Sequence, residues 1–253
     1  MTTIAILFWA GVFLVFYTYL GYGILLWTLV KIREALRPAR RYEVPAEAPE
    51  VTLLIAAYNE QEIVAEKMAN CRALEYPASK LRITWITDGS TDRTVELLAA
   101  YPDATVLHDA RRGGKTAALN RALEHIRTPL VVFTDANTML NLEAVTEIVR
   151  CFEDPQVGCV AGEKRVADAG GAGAAATEGV YWKYESKLKE LDYRLYSAVG
   201  AAGELFAVRR GLWQTLPEDT LLDDFVCSML IASQGYKIAY CKDCLLYTSP
   251  SPR

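Results

Sequence analysis

Leu130-Val131-Val132-Phe133-Thr134-Asp135-Ala136-Asn137-Thr138 is where the architecture of this chain can be read first. Four apolar residues and a threonine follow Pro129 and run into an acid and an amide two positions apart. A short run of β-branched and aromatic residues bounded by proline reads as a buried strand. Burial on both faces suits the middle of a parallel sheet. Asp135 then stands at the carboxyl end of that strand, where open α/β sheets collect their ligands. While the chain stays extended, Asp135 and Asn137 face the same way, because side chains alternate with period two. Two oxygen donors on one side suit a hard cation such as Mg²⁺ or Mn²⁺. A solvated turn accounts for the same two residues, since Asp and Asn are common turn formers.

Outward from this strand the pattern alternates. Strands are predicted over 51–57, 82–87 and 104–108, and helices over 60–74, 91–100 and 115–126. Strands alternating with helices give a parallel, doubly wound α/β sheet. No internal repeat is visible. Residues 167–176 are Gly and Ala with one Asp, which reads as a flexible loop. Residues 177–195 have helical spacing, with Tyr181, Tyr184, Leu188, Leu191 and Leu195 near one face. That stripe suits either a packed core face or a face laid on a membrane or groove.

The first thirty residues raise the apolar share of the chain to 52%. Residues 4–30 carry no charge, and as a helix they would be roughly 40 Å long, enough to span a bilayer. A cleaved signal peptide would want a basic start and a shorter apolar run. Lys31, Arg33, Arg37, Arg40 and Arg41 follow directly, so the remainder is expected on the cytosolic side of the cell (inner) membrane. The organisation expected is a transmembrane helix over 1–33, a basic juxtamembrane linker over 34–50, an α/β domain over 51–240 and a tail over 241–253. The net charge of −4 gives no reason to expect nucleic acid as a partner. Six cysteines without framework spacing argue against a disulfide scaffold and fit a reducing compartment. Cys241 and Cys244 have the spacing of a zinc knuckle but lack a second pair.

Chemistry-bearing residues gather at the predicted strand ends. Asp88 closes the second strand, with Gly89 for a tight turn and Ser90 or Thr91 to cap the next helix. Tyr58-Asn59-Glu60 holds the equivalent place after the first strand. Gly113-Gly114-Lys115 joins two exposed amides, a helix start and a cation, the makings of a phosphate site. Gly114-Lys115-Thr116 also ends like a nucleotide-binding P-loop, but Asp109 stands where that motif needs its first glycine. Residues 171–176 mimic a dinucleotide fingerprint without the strand that should precede it. Asp223 and Asp224 open a helix, either as dipole partners or with one carboxylate placed as a general base. Gly200 to Gly203 and Glu204 form a glycine-rich approach to a strand, where backbone can come close to a ligand.

Taken in order, these residues resemble the membrane-bound, inverting glycosyltransferases of family 2, the group that includes cellulose and hyaluronan synthases. The ordered set is Tyr-Asn-Glu (58–60), Asp-Gly-Ser-Thr-Asp (88–92), Gly-Gly-Lys-Thr-Ala-Ala-Leu-Asn (113–120), Phe-Thr-Asp-Ala-Asn (133–137), Gly-Ala-Ala-Gly-Glu-Leu-Phe-Ala-Val-Arg-Arg (200–210), Leu-Asp-Asp-Phe (222–225) and Gly-Tyr-Lys-Ile (235–238). The resemblance implies a GT-A fold, a UDP-sugar donor, a Mg²⁺ or Mn²⁺ cofactor, and a glycan or lipid-linked acceptor at the lipid bilayer. It implies that Asp88, with Tyr58 or Glu60, holds the nucleotide, and that Lys115 lies near the diphosphate. Asp135 and Asn137 would take the metal, and Asp224 would be the catalytic base. Asp223, Gly203 and Glu204 would meet the sugar or the acceptor. The metal motif reads Asp-Ala-Asn, and a neutral amide binds a divalent cation less tightly than a carboxylate. The family's Gln-x-x-Arg-Trp motif is absent. Residues 247–253 resemble translated sequencing-adaptor sequence, so the chain is expected to be cut short and residues after about Lys242 to lack regular structure and make few contacts. The alternatives are transfer to a polyprenyl phosphate, or an inactive nucleotide-sugar binding module.

Overall fold

The computed structural model describes residues 2–38, 42–166, 174–201 and 203–248. Four parallel strands form one half of the sheet: β1 (Val51–Ala57), β2 (Leu81–Asp88), β3 (Ala104–Asp109) and β4 (Leu130–Asp135). The others are β5 (Thr138–Leu140), β6 (Val157–Val166), β7 (Leu205–Arg209) and β8 (Lys237–Thr248). The spatial order is β3-β2-β1-β4-β7-β6-β8-β5. The chain therefore steps outward from β1 to β3 and then returns to place β4 on the other side of β1. That reversal creates a crevice between the carboxyl ends of β1 and β4. Ala56 pairs with Asp135 there.

The sheet is mixed rather than parallel throughout. β7 runs antiparallel to β4 and to β6, while β8 is parallel to β6. Helices cover both faces, and the period-two alternation of each strand feeds two cores. Val51, Leu53, Ile55 and Val132 pack with α3 (Val64–Ala73) and α6 (Ala144–Cys151). Leu54, Val131 and Phe133 pack with α5 (Lys115–His125) and α8 (Asp223–Ser233). In chain order, α1 is Thr2–Phe16, α2 is Tyr22–Leu36, α4 is Thr94–Leu98 and α7 is Ala174–Leu195.

Packing on the second face leaves no room at Gly158 of β6. A Cβ there would lie 2.6 Å from Ile231 Cγ2, 2.7 Å from Tyr236 Cβ and 2.8 Å from Leu212 Cδ1. Gly158→Val should therefore cost about 2 kcal/mol, the usual scale for overpacking a tight core. A denaturant titration that leaves the unfolding midpoint of this variant unchanged would refute the packing argument.

The N-terminal helix is continuous over Thr2–Leu36, with a π-helical turn at Tyr17–Gly21, and is long and apolar enough to cross a membrane. It does not stand wholly apart from the α/β domain. α1 buries none of its residues, but α2 packs on α7. Leu26 and Val30 are buried against Leu191, flanked by Leu188 and Leu195. Tyr22 donates to Asp192 Oδ1 at 2.6 Å, Tyr184 donates to the Tyr19 carbonyl at 2.7 Å, and Arg194 pairs with Glu34 at 2.6 Å. The stripe on α7 is thus a core face turned toward the N-terminal helix; Tyr181 lies outside the residues whose side chains are described.

Two further expectations need correction or a boundary. The tail is not irregular through Thr248: β8 continues there, pairing with β6 and β5, and buries Cys244 and Leu246. The strand accommodates Lys242, Asp243 and Cys244 as a bulge, since Gly162 pairs with Cys241 and Glu163 with Leu245. Cys241 and Cys244, at the base of that bulge, form a disulfide, although the cysteine spacing argued against a disulfide scaffold. Residues 249–253, Arg40, Arg41 and residues 167–173 of the expected flexible loop lie outside the described residues, and residues 174–176 belong to α7.

Candidate active site

Four loops meet at the carboxyl edge of the parallel strands. The loop after β1 is tied to the loop after β2. Asn59 takes a left-handed φ of 54°, which asparagine tolerates, and its Oδ1 accepts from the Thr91 amide at 2.8 Å. The Asn59 amide donates to Ser90 Oγ at 3.2 Å, and the Glu60 amide to Thr94 Oγ1 at 2.8 Å. Tyr58 is 38% exposed, and the Arg112 guanidinium lies 3.9 Å over its ring. Burial, followed by the charges of Asp135 and Asp92, raises the Glu60 carboxyl above its ordinary range.

Asp88 is buried, and its carboxylate does something the sequence did not reveal. Oδ2 accepts from the Gly113 amide at 2.9 Å and from the Gly114 amide at 2.7 Å. Gly114 holds a φ of 95°, where a side chain would be strained. The two amides that looked free for a phosphate are therefore occupied by an internal carboxylate. Asp88 Oδ1 is buried without a hydrogen bond, 3.7 Å from Arg121. Arg121 also donates to the Thr87 carbonyl and lies 3.5 Å from Asp109.

Lys115 begins α5 and pairs with Asp135 Oδ1 at 2.8 Å. Burial pulls its ammonium down, but Asp135, Asp223 and Asp224 together outweigh that and hold it above its ordinary range. Lys115, Asp135 and Gly203 line one small cavity with Ala56, Thr134 and Phe206. The neighbouring Thr116 hydroxyl donates to the Thr220 carbonyl at 2.9 Å, which ties the start of α5 to the loop before α8. Period-two alternation turns Asp135, like Val131 and Phe133, toward the face covered by α5 and α8.

Asp223 and Asp224 arrive from the start of α8, on this same side. Asp223 is 6% exposed and its Oδ2 has no hydrogen bond. Burial raises its carboxyl above the ordinary range, with Lys115 opposing and Asp224 adding to the shift. Asp224 is partly exposed and lies against the Gly203 backbone, where a Cβ would sit 3.1 Å from Asp224 Oδ2. Of the two acids, Asp224 is the one presented to solvent. Glu204 Oε1 accepts from Lys164 at 2.6 Å, and its Oε2 is buried without a partner.

Asp88, Lys115, Asp135, Asp223, Asp224 and Gly203 are thus brought to one edge. Asn137 is placed differently from the expectation. β4 ends at Asp135, Ala136 and Asn137 form a turn, and Asn137 is exposed, so strand alternation does not carry from Asp135 to Asn137. Its Oδ1 accepts from the Thr138 hydroxyl at 3.5 Å. Among the described residues no three His, Cys, Asp or Glu side chains form a protein-only cation site. The acids fit a different arrangement. Asp135 has a single ammonium partner, which suits a cation that takes one or two carboxylates and completes its shell with phosphate oxygens. Sequence reasoning noted Arg112 only as part of the basic stretch before Lys115 and passed over Arg121 and Lys67, all of which contact these loops or their supports.

A family model described as glycosyltransferase like family 2 matches residues 48–253. The beta-monoglucosyldiacylglycerol synthase of Nostoc sp. is 28% identical over 224 residues, covering 81% of this chain and 45% of its own length. The poly-beta-1,6-N-acetyl-D-glucosamine synthase of Staphylococcus aureus is 27% identical over 201 residues, covering 75% of this chain and 47% of its own length. The chain therefore spans about half the length of the curated relatives it matches. A mannosyltransferase from Pyrobaculum calidifontis, solved with GDP-Man and Mn²⁺, superposes with a TM-score of 0.75 at 25% identity, covering 94% of this chain and 67% of the other. Staphylococcus aureus TarS 1-349 with UDP-GlcNAc superposes at 0.63 and 16% identity, covering 81% and 59%, a likeness of fold alone. With the sheet order, the strand-end acids and the matched family model agreeing, the chain belongs to glycosyltransferase like family 2, on a GT-A fold.

Proposed function

We propose that the chain is the catalytic part of a membrane-anchored, inverting glycosyltransferase that moves a sugar from a UDP-sugar to a glycan or lipid-linked acceptor on the cytosolic face. The observation that carries this reading is the pairing of Lys115 with Asp135 at the sheet's switch point, inside the field of Asp223 and Asp224. The apolar helix over Thr2–Leu36 and the basic residues at its end support the anchor and its orientation.

Each residue has a role in this scheme. Tyr58 offers a ring face for the base, and Asp88 and Glu60 bring acceptors to the nucleoside. Lys115 moves from Asp135 to the donor's diphosphate, an anion that competes for the same ammonium. Asp135, with Asn137 from the adjoining turn, would hold Mg²⁺ or Mn²⁺, whose chemistry there is to neutralise the leaving diphosphate. Asp224 accepts the proton of the acceptor hydroxyl as that oxygen attacks the anomeric carbon. The bond from this carbon to the diphosphate oxygen breaks in the same displacement, so the configuration inverts. Gly203 lets Asp224 lie against backbone, and the Glu204 pair with Lys164 steadies that approach. Asp223, being buried, has only its unpartnered oxygen to offer a sugar hydroxyl.

Membranes carrying the full chain, given labelled UDP-sugars with Mn²⁺, should transfer label to an acceptor. Solvent extraction assigns the product to lipid or glycan. UDP binding without any transfer would replace the enzyme reading with that of a binding module, and transfer from GDP-mannose alone would overturn the choice of donor.

A further inference from the structure

Among the described residues Lys67 is the one buried cation, and the scheme above leaves it idle. It lies on α3, on the face of the sheet opposite Lys115, and is fully buried. Its Nζ donates to Thr134 Oγ1 at 3.1 Å and also to the Thr138 carbonyl. These two acceptors flank the Asp135-Ala136-Asn137 turn. Strand alternation turns Thr134 toward α3 and Asp135 toward α5, so one strand end is gripped from both sides. One turn along α3, Asn70 holds the next part of the same hairpin. Its Nδ2 donates to the Leu140 carbonyl at 2.8 Å, and its Oδ1 accepts from the Leu140 amide at 2.9 Å.

Space-filling does not account for a lysine at this position. Burial draws the ammonium down to about 8, the mark of a charge taken out of water. A methionine would fill similar volume without that cost. What methionine lacks is a donor able to join Thr134 to Thr138 across the turn.

We propose that Lys67 is a positioning residue whose ammonium fixes the turn between Thr134 and Thr138 and so sets the Asp135 carboxylate for a divalent cation. The inference rests on the reading of Asp135 as the residue that holds the metal. Lys67 touches neither donor nor acceptor, and its effect passes through the turn.

The test is titration of Mn²⁺ into the full chain in the presence of UDP, followed by calorimetry. Lys67→Met should weaken Mn²⁺ binding ten- to a hundredfold, the scale for losing a group that orients a metal ligand. UDP binding without metal should stay at the native level, which a collapsed fold would not allow. Thr134→Val should weaken Mn²⁺ severalfold, and Thr134→Ser, which keeps the hydroxyl, should restore native affinity. Native Mn²⁺ affinity in both Lys67→Met and Thr134→Val overturns the proposal. If Lys67→Met fails to fold, the comparison of Thr134→Val with Thr134→Ser decides, and equal affinities overturn it. Asp135→Ala separates the two levels of the argument. If Asp135→Ala binds Mn²⁺ normally, the reading of Asp135 falls and this inference with it. If Asp135→Ala loses Mn²⁺ while the Lys67 and Thr134 variants keep it, only the positioning role falls.

Discussion

Asp224→Asn lowers turnover at least about a hundredfold, the usual scale for losing a general base, while UDP binding stays native. The amide has the size of the carboxylate, so the contact with the Gly203 backbone is kept. What is lost is a group able to take the acceptor's proton. Binding survives because Asp88, Tyr58 and Lys115, which meet the nucleotide in the proposed scheme, lie on the loops after β1 and β2 and at the start of α5 rather than on α8. The measurement pairs a turnover assay with a UDP titration on the same preparation. Normal turnover of this variant would move the base elsewhere, with Asp223 the next acid to examine.

Asp88→Ala is expected to fail in two ways at once. It removes the acceptor for the Gly113 and Gly114 amides and the carboxylate beside Arg121. Charge-assisted bonds of this kind are worth roughly 1.5–3 kcal/mol each, and the exposed loop lets water replace part of that, so about 2 kcal/mol of stability should be lost. Donor affinity should fall more than tenfold, because the same carboxylate positions the loop that leads into Lys115. Asp88→Asn keeps one oxygen acceptor and should recover most of the stability but not the affinity. Thermal melts and UDP titrations on the two variants check this. A native melting temperature for Asp88→Ala would show that the carboxylate does not hold the glycine loop.

The parallel half of the fold was legible because β2 and β4 are short, mostly apolar runs closed by an acid that the sheet's edge displays, and β1 runs directly into Tyr58-Asn59-Glu60. Asp135, Lys115 and Asp224 were found the same way, as polar residues at strand ends and helix starts. The antiparallel half was not legible. β7 carries no alternation that distinguishes its direction, and β8 ends in residues whose composition suggested a disordered tail. The occupied amides at Gly113 and Gly114 were hidden because the carboxylate that fills them comes from a residue 25 positions earlier. Lys67 was missed although a signal was present. It falls three residues after Val64, one before Met68 and four before Cys71, all buried, so helical spacing places a lysine on the apolar face of α3.

The pairing of α2 with α7 has a mechanical consequence. The covalent link from the N-terminal helix to the domain includes residues 42–50, which form no helix or strand, contain Pro45 and Pro49 and would transmit little torque. The second link is stiff. α7 ends beside Ser197 and Ala198, which bond to Ile238 at 2.9 Å each way, and Tyr193 packs against both cores. In the proposed bilayer setting α7 then acts as a brace, and it rather than the tether sets the angle at which the cleft meets the membrane plane. A catalytic domain held at a fixed angle delivers its base at a constant height above the lipid surface, so the reach of the enzyme becomes a property of a helix pair and not of linker length.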